Sequence, residues 1–284
     1  MLTQVDRVQL VVSDRTRAGV SFSKLLGAEL VRKDAIRALG CLRSVLRVGR
    51  SEVELLEPDG VGAAADFLTH TRGGLFAAGF TAADPAALRA HLAARAVEVA
   101  EAGGQLLLHS EALGVPGLRA VISPEAELEP AGLLGHLYEV TLLTHDWKRS
   151  AERIAERFSL DSRSFVPIRS AEYGYEGVLT LFHPARLDRI EVVTPSDVTK
   201  TMGRFFERRG PSLYMCYAES HETAAVRARL LEHAPEHWTG PREGRTPDNL
   251  FVHPAALSGL LLGVSRRTFA WTWSGSPERV EPLG

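Results

Sequence analysis

VDRVQLVVSDRTRAGVSFSKLLGAE, from Val5 to Glu29, is matched by LYEVTLLTHDWKRSAERIAERFSLD, from Leu137 to Asp161. The match resumes with RSEVELLEPDG from Arg50 against LDRIEVVTPSD from Leu187. It continues with GLFAAGFTAADPAALRAHLAAR from Gly74 against SLYMCYAESHETAAVRARLLEH from Ser212. A repeat of roughly 130 residues fixes the architecture before any local propensity does. It also allows each position to be compared with its own copy.

Residues 4–12 alternate polar and apolar side chains and are rich in valine, which predicts a strand. Asp14 caps a helix that ends at Gly27, with Val20, Phe22, Leu25 and Leu26 on its apolar side. Strands are expected over 30–34, 40–48 and 52–57, closed by the turn Pro58-Asp59-Gly60. The same β-α-β-β-β order restarts at Gly74, with a strand over 76–81, a helix begun at Asp84-Pro85, and strands over 106–108 and 118–122. Residues 125–130 are acidic, contain proline and lack an apolar face, so they read as a linker. A third unit opens at Leu137, its helix capped by Asp146 and turning Ile154, Phe158 and Leu160 inward. A fourth opens at Tyr214, with a helix over 222–233 and a last strand over 260–264. In the tail, Phe269, Trp271 and Trp273 alternate, which predicts an added edge strand. The expected fold is α+β: four βαβββ modules in two pseudo-symmetric paired domains, 1–130 and 131–284.

Composition sets outer bounds. The 284 residues are 45% hydrophobic and 24% charged, with a net charge of −2, an ordinary globular balance. No basic excess points to nucleic acid or to an acidic membrane surface. Two cysteines, Cys41 and Cys216, form no CxxC pair, against a disulfide scaffold or zinc ribbon. No apolar run is long enough to span a bilayer, and the opening MLTQVDRVQ has no apolar signal core. A cytoplasmic protein, monomer or homodimer, with a small-molecule partner is the expectation.

The element order and these strand motifs resemble the vicinal oxygen chelate superfamily, which includes glyoxalase, bleomycin-resistance protein, extradiol dioxygenase and methylmalonyl-CoA epimerase. FFERRGPSLYMCYAE from Phe205 looks like the epimerase-type approach to a cavity strand. LFVHPAALSGLLLGV from Leu250 looks like the family's closing strand. The resemblance implies that paired modules curl around one cavity, so this chain should hold two. It also implies a divalent metal held by histidine, glutamate or glutamine from the first and last strands of both paired modules.

Strand alternation assigns the cavity faces. In the first half Arg7, Gln9 and Val11 turn inward, with Glu54 and Leu56. The family's ligand positions there read Arg7, Glu54, Ala77 and Val121, which cannot chelate, and Arg7 is expected to pair with Glu54. Arg7 could instead grip a substrate carboxylate or phosphate. In the second half the inward set is Glu139, Thr141, Leu143, Glu191, Val193, Tyr214, Cys216, Leu261 and Gly263. Its ligand positions read Glu139, Glu191, Tyr214 and Gly263. His136, His145 and His253 fall outside them. No resident metal or other cofactor is expected, although a hard divalent cation bound weakly by Glu139 and Glu191 fits oxygen ligands.

Two adjacent carboxylates raise one pKa, which makes a proton-transfer pair near neutral pH. The reading is an isomerase- or lyase-type enzyme acting on an oxygen-rich molecule in the second cavity. Glu139 and Glu191 move the proton and Tyr214 steadies the oxygen, while Arg7, Gln9, Glu54, Thr141, Cys216, Tyr173, Tyr175 and Trp271 contact substrate. Two alternatives stand beside it. One is a non-catalytic drug- or antibiotic-binding protein, for which Tyr214, Tyr173, Trp271 and Trp273 would form aromatic walls. The other is a divergent metal-dependent dioxygenase or epimerase.

Overall fold

The strand that opens each half is buried on both faces, with Val8 and Leu10 or Val140 and Leu142 on its apolar side, and becomes a central strand of a sheet. The computed structural model describes residues 1–282. The first half runs β1 (Leu2–Val11), α1 (Arg15–Leu26), β2 (Glu29–Ile36), β3 (Cys41–Val48), β4 (Ser51–Pro58), α2 (Ala63–Thr71), β5 (Gly74–Ala82), α3 (Pro85–Ala93), β6 (Ala100–Ala102), β7 (Gln105–Leu108), α4 (Ser110–Leu113) and β8 (Ala120–Pro124). The second runs β9 (His136–Leu143), α5 (Trp147–Phe158), β10 (Val166–Ser170), β11 (Tyr175–Leu181), β12 (Arg189–Pro195), α6 (Thr201–Arg209), β13 (Ser212–Ser220), α7 (Thr223–His233), β14 (Trp238–Thr239), β15 (Asn249–Val252) and β16 (Leu261–Arg266).

Each half is one eight-stranded sheet, ordered β2-β3-β4-β1-β5-β8-β7-β6 and β10-β11-β12-β9-β13-β16-β15-β14. Within each module the first and last strands lie parallel, and modules join through the antiparallel pairs β1–β5 and β9–β13. Four βαβββ modules in two pairs are therefore present, as the repeat predicts. Asp14, Asp84 and Asp146 cap α1, α3 and α5, accepting from the backbone N–H three residues on at 2.8, 2.9 and 3.1 Å. Gly27 ends α1 in the left-handed conformation, and Ser159 does so at the matching end of α5.

The helix-covered faces of both sheets merge into one apolar core. Val8, Leu10 and Phe22 from the first half meet Val140, Ile154 and Phe158 from the second. Phe80 joins them, with its ring 6.3 Å from Phe158 and 5.5 Å from Phe182, edge-on to each. The segment between the halves laces the sheets together. Gly49 N–H donates to Ala131 O at 2.6 Å, Arg50 N–H to Gly135 O at 2.7 Å, and Val5 N–H to the Asp188 carboxylate at 2.9 Å. Among the described residues no helix is long and apolar enough to cross a membrane.

Several local expectations fail for identifiable reasons. Val20 is 50% exposed, and α1 buries Ala18 in its place with Phe22, Leu25 and Leu26. Val20 and Phe22 are two residues apart, which on a helix puts them on different faces. Helices α2 and α6 are additional to the expected elements, although each has an apolar side: Ala64, Phe67 and Leu68 in α2, and Met202, Phe205 and Phe206 in α6, the last three packing with Leu143 and Val193. The aromatic tail is a 3₁₀ turn over Phe269–Trp273, not an edge strand. Its alternation places Trp271 against Tyr138 and Leu187.

Because Phe80 joins rings from both halves, Phe80→Ala should lower stability by about 3–5 kcal/mol in urea unfolding, whereas Val20→Ala should stay within about 0.5 kcal/mol.

Candidate functional site

On the first sheet Arg7, Gln9 and Glu54 stand on the face away from the helices, as expected, but they bond to one another. Glu54 Oε1 accepts from Arg7 Nη1 at 2.8 Å and Gln105 Nε2 at 2.6 Å. Its Oε2 accepts from Gln9 Nε2 at 2.8 Å and Arg43 Nη1 at 3.2 Å. Arg7 also pairs with Glu52 at 2.9 Å and Asp6 at 2.6 Å. Arg43 reaches Asp34 at 2.7 Å. Burial alone would push the Glu54 carboxyl up, but Arg7 and Arg43 outweigh it and hold the group below its ordinary range. The Arg7 side chain lies across Gly79, where an added Cβ would fall 1.9 Å from Arg7 Cγ. All three residues, expected to contact substrate, are instead bonded to one another in a buried network in which Glu54 is fully engaged and Gln9 Oε1 has no partner among the described residues.

The second sheet carries the same frame with different occupants. The register pairs Arg7 with Glu52 and Gln9 with Glu54 on the first sheet, and Glu139 with Arg189 and Thr141 with Glu191 on the second. The ion pair is thus reversed between the copies: arginine on the first strand and glutamate on the fourth become glutamate on the first and arginine on the fourth. Arg189 Nε donates to Glu139 Oε2 at 2.6 Å, and its Nη2 lies 2.6 Å from the same oxygen. Arg189 is fully buried beneath the Tyr138 ring, its guanidinium 5.1 Å from the centroid. The expectation that Glu139 and Glu191 form an unaccompanied carboxylate pair is therefore corrected, because Arg189 takes Glu139.

Glu191 has no such partner. The Thr141 hydroxyl donates to its Oε2 at 2.6 Å, and among the described residues no cation pairs with it. Arg43, which saturates Glu54, has its counterpart on the second sheet at Gly177, since Arg43 pairs with Leu56 and Gly177 with Val193. Burial, with the neighbouring Glu139 charge, pushes the Glu191 carboxyl up to about 8. Burial raises Glu139 as well, opposed by Arg189. Of this coupled pair, Glu139 is the counter-ion of Arg189, and the proton resides on Glu191.

Glu139 and Glu191 line a cavity of about 1100 Å³. Its walls include Tyr175, Tyr214, Met215, Tyr217, Phe205, Phe251 and Trp273. Tyr214 and Tyr175 line it as the sequence predicts, as does Tyr173, 48% exposed near the opening. Tyr214 sits at a β-bulge between Leu213 and Met215, so two consecutive residues reach the cavity side. Burial raises the Tyr214 and Tyr175 hydroxyls above their ordinary range, and Glu191 raises Tyr175 further. Past the bulge the phase changes. Cys216 pairs with Val140 and lies in the core on the helix side, so its expected substrate contact is wrong. Tyr217 takes the inward place, over Gly263, where a Cβ would fall 2.1 Å from Tyr217 Cε1. Trp271 lies in a different groove, between the halves, with the Arg279 guanidinium 4.6 Å from its ring. Thr141 reaches the site only through Glu191.

Two features escaped the sequence reading. Arg189 was visible in principle, because LDRIEVV aligned with RSEVELL sets Arg189 at the place of Glu52. The basic residues around the opening, Arg169, Lys200, Arg204, Arg208 and Arg209, come mostly from α6 and its N-cap, a helix whose apolar side is Met202, Phe205 and Phe206.

The chelating metal implied by the resemblance does not fit this donor set. One carboxylate already holds a guanidinium, and the bulge leaves the thioether of Met215 opposite Thr141. Gly263 supplies no side-chain donor. Among the described residues no group of three or more His, Cys, Asp or Glu side chains gathers to hold an ion. The weak cation expected at Glu139 and Glu191 would compete with Arg189 for the same oxygen.

No family model matches the sequence, and no curated protein does. Among solved structures the chain is similar to a triple mutant of 4-hydroxymandelate synthase from Streptomyces coelicolor (TM-score 0.69, 14% identity, 98% of this chain and 99% of that one). It is similar also to a xylose isomerase-like TIM barrel/4-hydroxyphenylpyruvate dioxygenase fusion protein (TM-score 0.66, 10% identity), aligning over its whole length with 50% of that chain. Methylmalonyl-CoA epimerase from Mycobacterium tuberculosis aligns with 47% of this chain and 89% of its own at 19% identity and a TM-score of 0.39. The two likenesses that span this whole chain show the fold alone, the paired βαβββ arrangement.

Removing Arg189 strands a buried carboxylate. Arg189→Met should cost about 3–5 kcal/mol in denaturant unfolding, and Glu139→Gln added to it should recover a large part. The Glu191 value of about 8 lies above the ordinary 4.5, so between these pH values the folded state holds a proton that the unfolded state releases. Stability contributed by Glu191 should therefore fall as pH rises through that window, and the melting temperature of Glu191→Gln should decline less than that of the wild type.

Proposed function

We propose that this chain, with the paired βαβββ fold of the vicinal oxygen chelate proteins, is an isomerase- or lyase-type enzyme. It moves a proton at the carbon next to a carbonyl of an oxygen-rich small molecule bound in the second-half cavity. One observation carries the reading: Glu191 is a buried carboxyl with no cationic partner, raised to about 8, on the wall of a large cavity. A base with a value near the working pH combines a populated ionised form with proton affinity high enough to act.

In this reading ionised Glu191 removes the proton and returns it to the other face or to a leaving group. Thr141 keeps Oε2 in place. Burial first and the Glu139 charge second raise Glu191, opposed in part by the Arg189 charge. The Tyr214, Tyr175 and Tyr217 hydroxyls are the donors available to a carbonyl oxygen on which charge develops. Compared with the two-carboxylate shuttle expected from sequence, one carboxylate reacts and the other tunes it.

The aromatic walls favour one second reading, a binder without turnover, because Phe205, Tyr214, Tyr217, Phe251 and Trp273 offer stacking surface whatever Glu191 does. Incubation in D₂O with a panel of 2-oxo acids, acyl thioesters and hydroxyketones separates the two. The enzyme reading predicts deuterium at the acidic carbon of at least one compound, at a rate that climbs with pH and levels above about 8. Glu191→Gln should lower that rate about 10²–10⁴-fold with little change in affinity. Saturable binding across the panel without exchange, weakened by Glu191→Gln, would establish the binder.

A further inference from the structure

The walls of the second cavity change character from floor to opening. Glu139 and Glu191 lie on the central strands β9 and β12. Phe205, Tyr214, Phe251 and Trp273 are aromatic wall. Arg169, Lys200, Arg204, Arg208 and Arg209 face the same space, against the single rim carboxylate Glu172.

No salt bridge among the described residues neutralises these cations, although the Lys200 charge contributes to lowering the nearby Asp197 carboxyl. Among the described residues none of the five forms an ion pair, although eighteen such pairs exist elsewhere on the molecule. Arg169 stands across the strand pair from Glu176, yet the two make no salt bridge. Arg204 turns back to the Thr199 carbonyl and the Thr201 hydroxyl. Arg209 donates to Thr71 O at 2.8 Å and leans over the Phe205 ring, 5.6 Å from its centroid. The Arg169, Lys200 and Arg208 head groups make no hydrogen bond to the described residues. Burial first, and the adjacent Arg208 second, lower Arg209 from its ordinary value.

Placement by secondary structure makes this a site and not a scatter of surface charge. Lys200 is the N-cap of α6, and Arg204 and Arg208 follow at helical spacing, so the three lie along one side of the helix. Arg169 comes from β10, on another side of the opening. The first half closes the remainder with Gly73, Gly74 and Leu75, and the Arg209–Thr71 bond ties α6 to it. A low-dielectric cavity rimmed by cations of one sign concentrates anions at its mouth.

We infer that the mouth of this cavity binds an anionic group, phosphate or carboxylate, at the far end of an elongated substrate whose reacting carbonyl lies against Glu191. The inference rests on the second cavity being the substrate site, as proposed above, and it adds the substrate class. That class has an acidic tail held by Lys200, Arg208 and Arg169, an apolar or planar middle along the aromatic wall, and a carbonyl head. Binding through the tail contributes affinity remote from the reacting carbon, so a truncated substrate lacking the anion loses turnover as well as affinity.

Isothermal titration calorimetry of the full chain at low ionic strength tests this with two probes, sodium pyrophosphate and glutarate. The expected result is saturable binding of at least one probe, weakened about tenfold or more in Lys200→Met/Arg208→Gln and in Arg169→Gln. Arg17→Gln, on the distant helix α1, should leave it unchanged. Pyrophosphate alone binding assigns a phosphate tail, glutarate alone a carboxylate tail, and both an anion of either kind. No saturable binding, equal affinity in the rim variants, or an equal loss in Arg17→Gln would overturn the inference. These side chains are exposed or half-buried, and circular dichroism confirms folding of each variant before titration. Glu191→Gln should retain probe affinity within about twofold, so loss of exchange without loss of probe binding sinks neither claim, and failure of either test leaves the other readable.

Discussion

A buried carboxylate without a cation is the constraint around which the second half is organised. Both sheets set a glutamate at the same place on the strand beside the central one, Glu54 on the first and Glu191 on the second. Leaving water is costly for such a group unless charge or hydrogen bonds compensate. The first sheet compensates fully, with two arginines and two glutamines on the two oxygens of Glu54. The second supplies one threonine hydroxyl and leaves the rest of the burial cost in place, so the proton is retained.

The reversed ion pair makes that difference. With arginine on the first strand, Arg7 can reach both Glu52 and Glu54, and the network closes. With arginine on the fourth strand, Arg189 directs its donors to Glu139 and not to Glu191. The exchange preserves net charge and the pleat of the sheet while moving the cation away from the reactive position. Replacement of the Arg43 position by Gly177 then leaves space that Arg43 fills on the first sheet. The two halves are joined by the common core around Phe80 and by the backbone bonds of residues 49–50 and 131–135.

Much of this was legible from the repeat. The module order, the Asp caps, the inward set of β1 and the cavity place of Glu54, Glu191 and Tyr214 all follow from period-two alternation and from matching copies. Alternation fails where the register slips. The bulge at Tyr214 turns two consecutive residues to one side, so counting onward by two assigns Cys216 inward when Tyr217 is the residue there. Arg189 lay within the aligned strand and needed only its face to be followed. The basic rim was not legible, because the charges of α6 acquire meaning only when the cavity opens beside them, even though Met202, Phe205 and Phe206 mark the helix itself as amphipathic. Trp271 misled for a related reason: an aromatic alternation in a tail gives no direction to the side chains of a 3₁₀ turn.

The account depends on the protonation of one side chain, which difference infrared spectroscopy reads directly. Wild type minus Glu191→Gln, recorded across pH in ¹³C-glutamate-labelled protein, should show a carboxylic-acid band at neutral pH that converts to carboxylate near pH 8. A band already ionised at neutral pH and titrating near the ordinary 4.5 would contradict the account, because Glu191 would then be a solvated or paired carboxylate like any other.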